Sequence, residues 1–216
     1  MSPKAVAPVW LFDLDNTLHD ARPNIFPHIN RSMVAYIRAH LGLDEDRATR
    51  LREDYWQRYG ATLLGLVRHH GTEPHHFLEH THRFDDLGRM LVFEPALKLM
   101  LRRLVGRKLI FSNAPLDYTY AILDRMGIRN HFAAVYSIER LRFQPKPAPA
   151  AFRCLLRAES LRPAQCIMVE DSLANLRVAK RLGMQTVWVS SHTRQPAWVD
   201  RRLTSILDLR RHRAPL

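Results

Sequence analysis

Four short apolar runs constrain this chain more than any other feature: VWLFD at Val9–Asp13, KLIFSN at Lys108–Asn113, QCIMVE at Gln165–Glu170 and QTVWV at Gln185–Val189. They are near-continuous rather than alternating, which suits strands covered on both faces, as in a parallel sheet. AAVYS at Ala133–Ser137 is a weaker fifth strand. Helical patterns occupy Pro115–Met126, Pro147–Ala158 and Ser172–Leu182, and Gly127 and Gly183 stand where YAILDRMG and LRVAKRLG should stop. Strand and helix alternate after residue 95, which predicts a doubly wound α/β sheet.

Residues 22–94 read differently. No strand is convincing there, and apolar residues recur at helical spacing. Ile29, Met33, Tyr36, Ile37 and Leu41 make one stripe; Leu51, Tyr55 and Tyr59 begin another, continued past Gly60 by Leu63 and Leu66. The boundaries fall in HDARPN and near LVFEPAL, where Pro95 suits the first turn of a new helix. The expected organisation is therefore a core of 1–21 and 95–216 interrupted by an all-helical insert, 22–94.

With 46% hydrophobic and 25% charged residues among 216, a sizeable core is expected. No apolar stretch is long enough to cross a bilayer, and Asp13 and Asp15 interrupt the N-terminal run before it could serve as a signal peptide. Cys154 and Cys166 offer neither a disulfide framework nor metal-ligand spacing, so a reducing cytoplasm is the expected compartment. The net charge of +12 favours anionic partners: nucleic acid, acidic membrane surfaces or phosphorylated small molecules. Its densest stretch, DRRLTSILDLRRHRAPL, reads as a solvated, partly frayed terminus in preference to a nucleic-acid arm. A basic nucleic-acid-binding module is a remote alternative, because aromatic–basic interleaving and DNA-reading motifs are missing.

Ligands of a parallel α/β sheet bind beyond the carboxyl ends of its strands. The first run ends in Asp13-Leu14-Asp15-Asn16-Thr17, the second in Ser112-Asn113 and the third in Glu170-Asp171, while FQPKPAPAAF sets Lys146 between two prolines before a helix. Ionised carboxylates at a strand end are costly unless something positive meets them. Asp13, Asp15 and Asp171 supply hard oxygen donors of the kind and number Mg²⁺ takes, leaving places for water and a substrate phosphate. Ser112 and turn N–H groups suit phosphoryl oxygens, and Lys146 adds a point charge. Each residue alone has an ordinary reading: Asp13 and Asp15 as a strand end and helix cap, Ser112-Asn113 as a turn, Lys146 as a loop lysine. Their order along the chain argues otherwise.

DLDNT, SNA at Ser112, Lys146 and EDS at Glu170–Ser172 together resemble the four motifs of the haloacid dehalogenase superfamily. The resemblance spans nearly the whole chain and implies a mostly parallel, Rossmann-like core. It implies that Asp13 is a nucleophile forming an aspartyl-phosphate and that Asp15 protonates the leaving oxygen, then takes a proton from water. It implies Mg²⁺ held by the side chains of Asp13 and Asp171 and the backbone carbonyl of Asp15, with Glu170 aiding directly or through water. The backbone of Leu14 and Asp15, with Ser112, Asn113 and Lys146, would cradle the phosphoryl group; Thr17 would pin the turn and Asn175 help orient Lys146.

Within that superfamily, dehalogenases lack an acid/base at the position of Asp15, because a departing halide needs no proton. Asp15 therefore points to phosphoryl chemistry. Ion pumps, typified by Lys there, are excluded by Asp15 and by the lack of membrane spans. The helical insert resembles the family's cap, and YWQRYGATLLGLVRHHG with FDLDNTL and SNAP is similar to the pyrimidine 5'-nucleotidase branch. That likeness implies a small phosphorylated substrate, a nucleoside 5'-monophosphate, with Arg68 and His69 as candidates for its non-phosphate part. Phosphosugar phosphatases or mutases of the same superfamily are the alternative. His69, His70, His75, His76, His80 and His82 crowd the insert without an organising motif and read as a polar cap surface.

Overall fold

The computed structural model describes residues 7–211. The chain divides into two compact units, one of Met1–Asp20 with Val92–Leu216 and the other of Ala21–Leu91.

The first unit is a doubly wound α/β layer structure. Its six strands are β1 Val9–Phe12, β2 Arg107–Phe111, β3 Ala134–Tyr136, β4 Cys166–Glu170, β5 Gln185–Val189 and β6 Arg201–Leu203. All pair in parallel, in the order β3-β2-β1-β4-β5-β6. The chain runs outward from β1 through β2 and β3, then crosses back to β4 on the other side. The boundary between β1 and β4 is therefore the topological switch point, where such sheets open a crevice at their carboxyl ends. β1 and β4 are buried along their whole lengths, which explains why their sequences do not alternate.

Helices α6 Leu97–Arg103, α7 Leu116–Arg125, α8 Pro149–Ala158 and α9 Leu173–Arg181 complete this unit. α8 starts on Pro149 and buries Ala151, Phe152, Leu155 and Leu156. Phe152 meets Phe111 of β2 edge-on, ring centres 4.9 Å apart, in a core that also holds Leu11, Leu109, Met168 and Leu176. Gly127 and Gly183, at φ +64° and +95°, end α7 and α9 in the left-handed region glycine tolerates.

The basic tail departs from expectation. Rather than fraying, it supplies β6 and a 3-10 turn, Ile206–Arg211, and buries Leu203, Ile206 and Leu209. Asp200 anchors it by accepting the N–H and hydroxyl of Thr186 at 2.8 and 2.9 Å. The apolar residues are spaced too sparsely for an interior strand, but an edge strand needs only one covered position. Residues 212–216 lie outside the described residues.

The second unit holds α1 Ile25–Leu41, α2 Glu45–Tyr59, α3 Thr62–His70, α4 Pro74–Thr81 and the short α5 Leu87–Met90. Asp44 caps α2 by accepting the Arg47 N–H at 2.8 Å. The apolar stripe expected to continue past Gly60 is broken there: Gly60, at φ +76°, ends α2, and α3 packs against α2 as a separate helix. Their approach is so close that a methyl group on Gly65 would lie 2.2 Å from Cγ of Tyr55.

Candidate active site

The register of the sheet assembles the site. Phe12 pairs with Val169, so Asp13 and Glu170, one residue further along each strand, fall side by side across the switch point. The Asp13 N–H donates to the Val169 carbonyl at 3.0 Å, extending the ladder to the carboxyl edge of the sheet. Asp13 is 7% exposed and Glu170 1%. Between them lies the ammonium of Lys146, a residue only 2% exposed, donating to Asp13 Oδ1 and Glu170 Oε2, both at 2.7 Å.

The lysine is delivered by an exchange of backbone bonds. Asn113, after β2, donates Nδ2 to the Lys146 carbonyl at 2.9 Å and accepts the Lys146 N–H on Oδ1 at 2.7 Å. Asn113, expected to help cradle the phosphoryl group, thus has its side chain engaged with the Lys146 backbone. Asn175, expected to orient that lysine, is buried near the start of α9 but makes no hydrogen bond to it. Asn113, Asp13 and Glu170 fix Lys146 instead. Sequence spacing could not show that pairing, which joins residues far apart along the chain.

The remaining motif residues tie down the loop after β1. Thr17 donates its hydroxyl to Asp13 Oδ2 at 3.0 Å, and the buried Leu14 offers its carbonyl to the Thr17 and Leu18 N–H groups. Asn16 sits at φ +62°, a region asparagine tolerates, and hydrogen-bonds the Asp171 side chain. Ser112 is buried, and its hydroxyl accepts the Ala114 N–H at 3.1 Å. The Glu170 carboxylate also accepts the Ser172 N–H at 3.3 Å, at the start of α9. Arg68 and His69, by contrast, are exposed on the last turn of α3, where His69 pairs with the Tyr59 hydroxyl at 2.6 Å.

Electrostatically the edge is under-neutralised. Burial and then the Glu170 charge push Asp13 up to about 7, with Lys146 pulling the other way. Burial likewise pushes Glu170 up to about 7 against the pull of Lys146, and burial raises Asp171. Burial opposes the charge on Lys146, but Asp13 and Glu170 outweigh it and hold its pKa above the ordinary lysine value. Three carboxylates face one ammonium. Asp13, Glu170 and Asp171 bring carboxylate oxygens within 4.8 Å of one another, and they are the one set among the described residues that could hold a metal ion. Hard oxygen donors with two uncompensated negative charges fit a dication such as Mg²⁺.

Asp15 stands apart from that set. Its side chain accepts the Tyr118 hydroxyl at 2.6 Å and pairs with His19 at 2.9 Å. Neither partner is among the residues the motifs select. His19 carried a faint signal in its spacing, four residues after Asp15; Tyr118 carried none, because only the fold brings α7 to β1.

The parallel sheet, the paired aspartates beyond its central strand and the buried lysine define the class: a doubly wound α/β protein whose carboxyl edge carries an acidic cluster that could hold a cation. The family model for haloacid dehalogenase-like hydrolases matches residues 9–183, and the chain belongs to that family. Among its relatives, Phosphate metabolism protein 8 of Saccharomyces cerevisiae is 27% identical over 84% of this chain and 61% of its own length. A phosphoglycolate phosphatase of Pseudomonas putida is 27% identical over 82% of this chain and 67% of its own. A 5'-nucleotidase of Pseudomonas aeruginosa is 29% identical over 84% and 82%. The chain thus spans about two thirds of the first two relatives. In fold it resembles a phosphatase of the family from Thermococcus onnurineus, with a TM-score of 0.68 at 21% identity, covering 94% of this chain and 96% of that one.

Proposed function

We propose that this chain is a Mg²⁺-dependent phosphomonoesterase acting on a small phosphorylated metabolite through an aspartyl-phosphate on Asp13. The observation that carries this reading is the Asp13–Lys146–Glu170 bridge at the switch point, with Asp15 two residues on and turned to different partners. Asp13 is the nucleophile; Thr17 and Lys146 fix its carboxylate, and strand register fixes its backbone. Asp15 protonates the leaving oxygen and then takes a proton from the attacking water. Asp13, Glu170 and Asp171 would hold the cation, which neutralises phosphoryl charge when bound. Ser112, Lys146 and the backbone of Leu14 and Asp15 face the phosphoryl oxygens. We assign the helical insert, 22–94, the role of the family's cap.

The substrate we assign is a nucleoside 5'-monophosphate, supported by the nucleotidase-like stretch Tyr55–Gly71 and by the nucleotidase relative, matched across 82% of its length. Phosphoglycolate is the second reading, on the strength of the P. putida relative. A phosphate-release panel of UMP, CMP, phosphoglycolate and fructose 1-phosphate tests both. Fastest release from UMP or CMP supports the nucleotide; equal rates remove it and leave the chemistry standing. Substrate consumed without free phosphate identifies a mutase instead. Activity untouched by EDTA excludes the cation.

A further inference from the structure

Asp15 is held on one oxygen only. Both hydrogen bonds to its side chain fall on Oδ1, from Tyr118 at 2.6 Å and from His19 Nε2 at 2.9 Å. The carboxylate keeps 17% of its surface exposed, whereas the His19 side chain is fully buried. The two partners reach Asp15 by separate routes. The turn closed on the Leu14 carbonyl brings His19 back beside it. Tyr118 comes from the first turn of α7, which Glu139 secures by accepting the Leu116 N–H on both carboxylate oxygens at 3.1 Å.

The direction of these bonds follows from burial. Nδ1 of His19 is buried with no partner. A buried orphan N–H is rarer than an under-satisfied acceptor, so the ring proton belongs on Nε2 and His19 donates. The phenol of Tyr118 donates as well. Oδ1 therefore accepts two hydrogens and has no room for a proton of its own.

We propose that His19 and Tyr118 are positioning residues that confine the exchangeable proton of Asp15 to Oδ2, the oxygen left open for the leaving group. The inference rests on the phosphomonoesterase reading above. In the first half-reaction an Asp13 oxygen bonds to phosphorus, the bond from phosphorus to the leaving oxygen breaks, and that oxygen takes the Oδ2 proton. In the second, a water oxygen bonds to phosphorus, its proton passes to Oδ2, and the bond to Asp13 breaks. A misdirected proton penalises alcohols that must leave protonated and spares leaving groups stable as anions.

The test compares the single-turnover rate of leaving-group release, the phosphorylation half-reaction, for Tyr118→Phe and His19→Gln on 2,4-dinitrophenyl phosphate and on whichever of UMP and phosphoglycolate the wild type hydrolyses faster. Tyr118→Phe removes one hydroxyl and keeps the ring; His19→Gln keeps an N–H donor and should lose less than His19→Leu. For Tyr118→Phe that rate at saturating substrate is expected to fall about tenfold on the alkyl phosphate, with a loss under about twofold on the dinitrophenyl ester. Equal losses on both substrates, or none on the alkyl phosphate, overturn the proposal. Asp15→Asn separates the two levels. If its single-turnover release shows the leaving-group pattern and that of Tyr118→Phe does not, the clamp is wrong and the phosphatase stands; if Asp15→Asn lacks the pattern in that half-reaction, the acid/base role fails first.

Discussion

At the residue scale the unusual feature is a lysine shared by two buried carboxylates. Replacing Lys146 by Met leaves Asp13 and Glu170 facing one another without a counter-ion, and breaking a buried pair in this way costs about 3–5 kcal/mol. Thermal unfolding in EDTA should show the loss, and Mg²⁺ should recover part of it; an unchanged melting temperature would mean the bridge carries no stability. The same crowding couples protons to the cation. Asp13 and Glu170, both pushed up to about 7, are protonated below that pH and ionised above it. Protons and Mg²⁺ then compete for the same oxygens. Lowering the pH from 8 to 6 should raise the Mg²⁺ concentration for half-maximal activity about tenfold or more. A half-saturation that is flat across that window would separate the cation from these carboxylates.

At the scale of elements, two packing features yield direct tests. Gly65→Ala would drive a methyl into the Tyr55 ring, whose Cβ also lies only 2.6 Å from it, so the ring has no route of escape. Overpacking of this kind costs about 1–3 kcal/mol, read as a lowered midpoint in urea. Leu203→Ala asks whether the tail is structural: a buried leucine on an edge strand should cost about 2–5 kcal/mol, where a solvated terminus would cost nothing. These features also mark the limits of what sequence shows. β1, β2, β4 and β5 were legible because strands covered on both faces write continuous apolar runs. β6 was not, because only Leu203 of its three residues is buried and basic neighbours conceal it. Asp13, Ser112, Glu170 and Asp171 were legible because they stand at strand ends, which converge in a parallel sheet, and Lys146 because two prolines flank it just before a helix. The Asn113–Lys146 exchange and the Tyr118 bond were not, since both depend on which loops meet after the sheet has formed.

At the scale of the molecule, a net charge of +12 surrounds a site built from carboxylates. Such a field draws dianionic substrates toward a local edge that, without a cation, would repel them. If it does so, kcat/KM for UMP should fall several-fold between about 20 and 200 mM salt while kcat stays level. Random DNA binding that is steep in salt, without phosphate release, would instead favour the nucleic-acid reading. The central claim is that phosphate passes through Asp13, and covalent trapping tests it most directly. Asp15→Asn, given 2,4-dinitrophenyl phosphate, should be phosphorylated readily yet lose the base that activates water. Acid quenching, borohydride reduction and peptide mapping should then find the modified aspartate at position 13. Modification at any other residue would contradict the assignment.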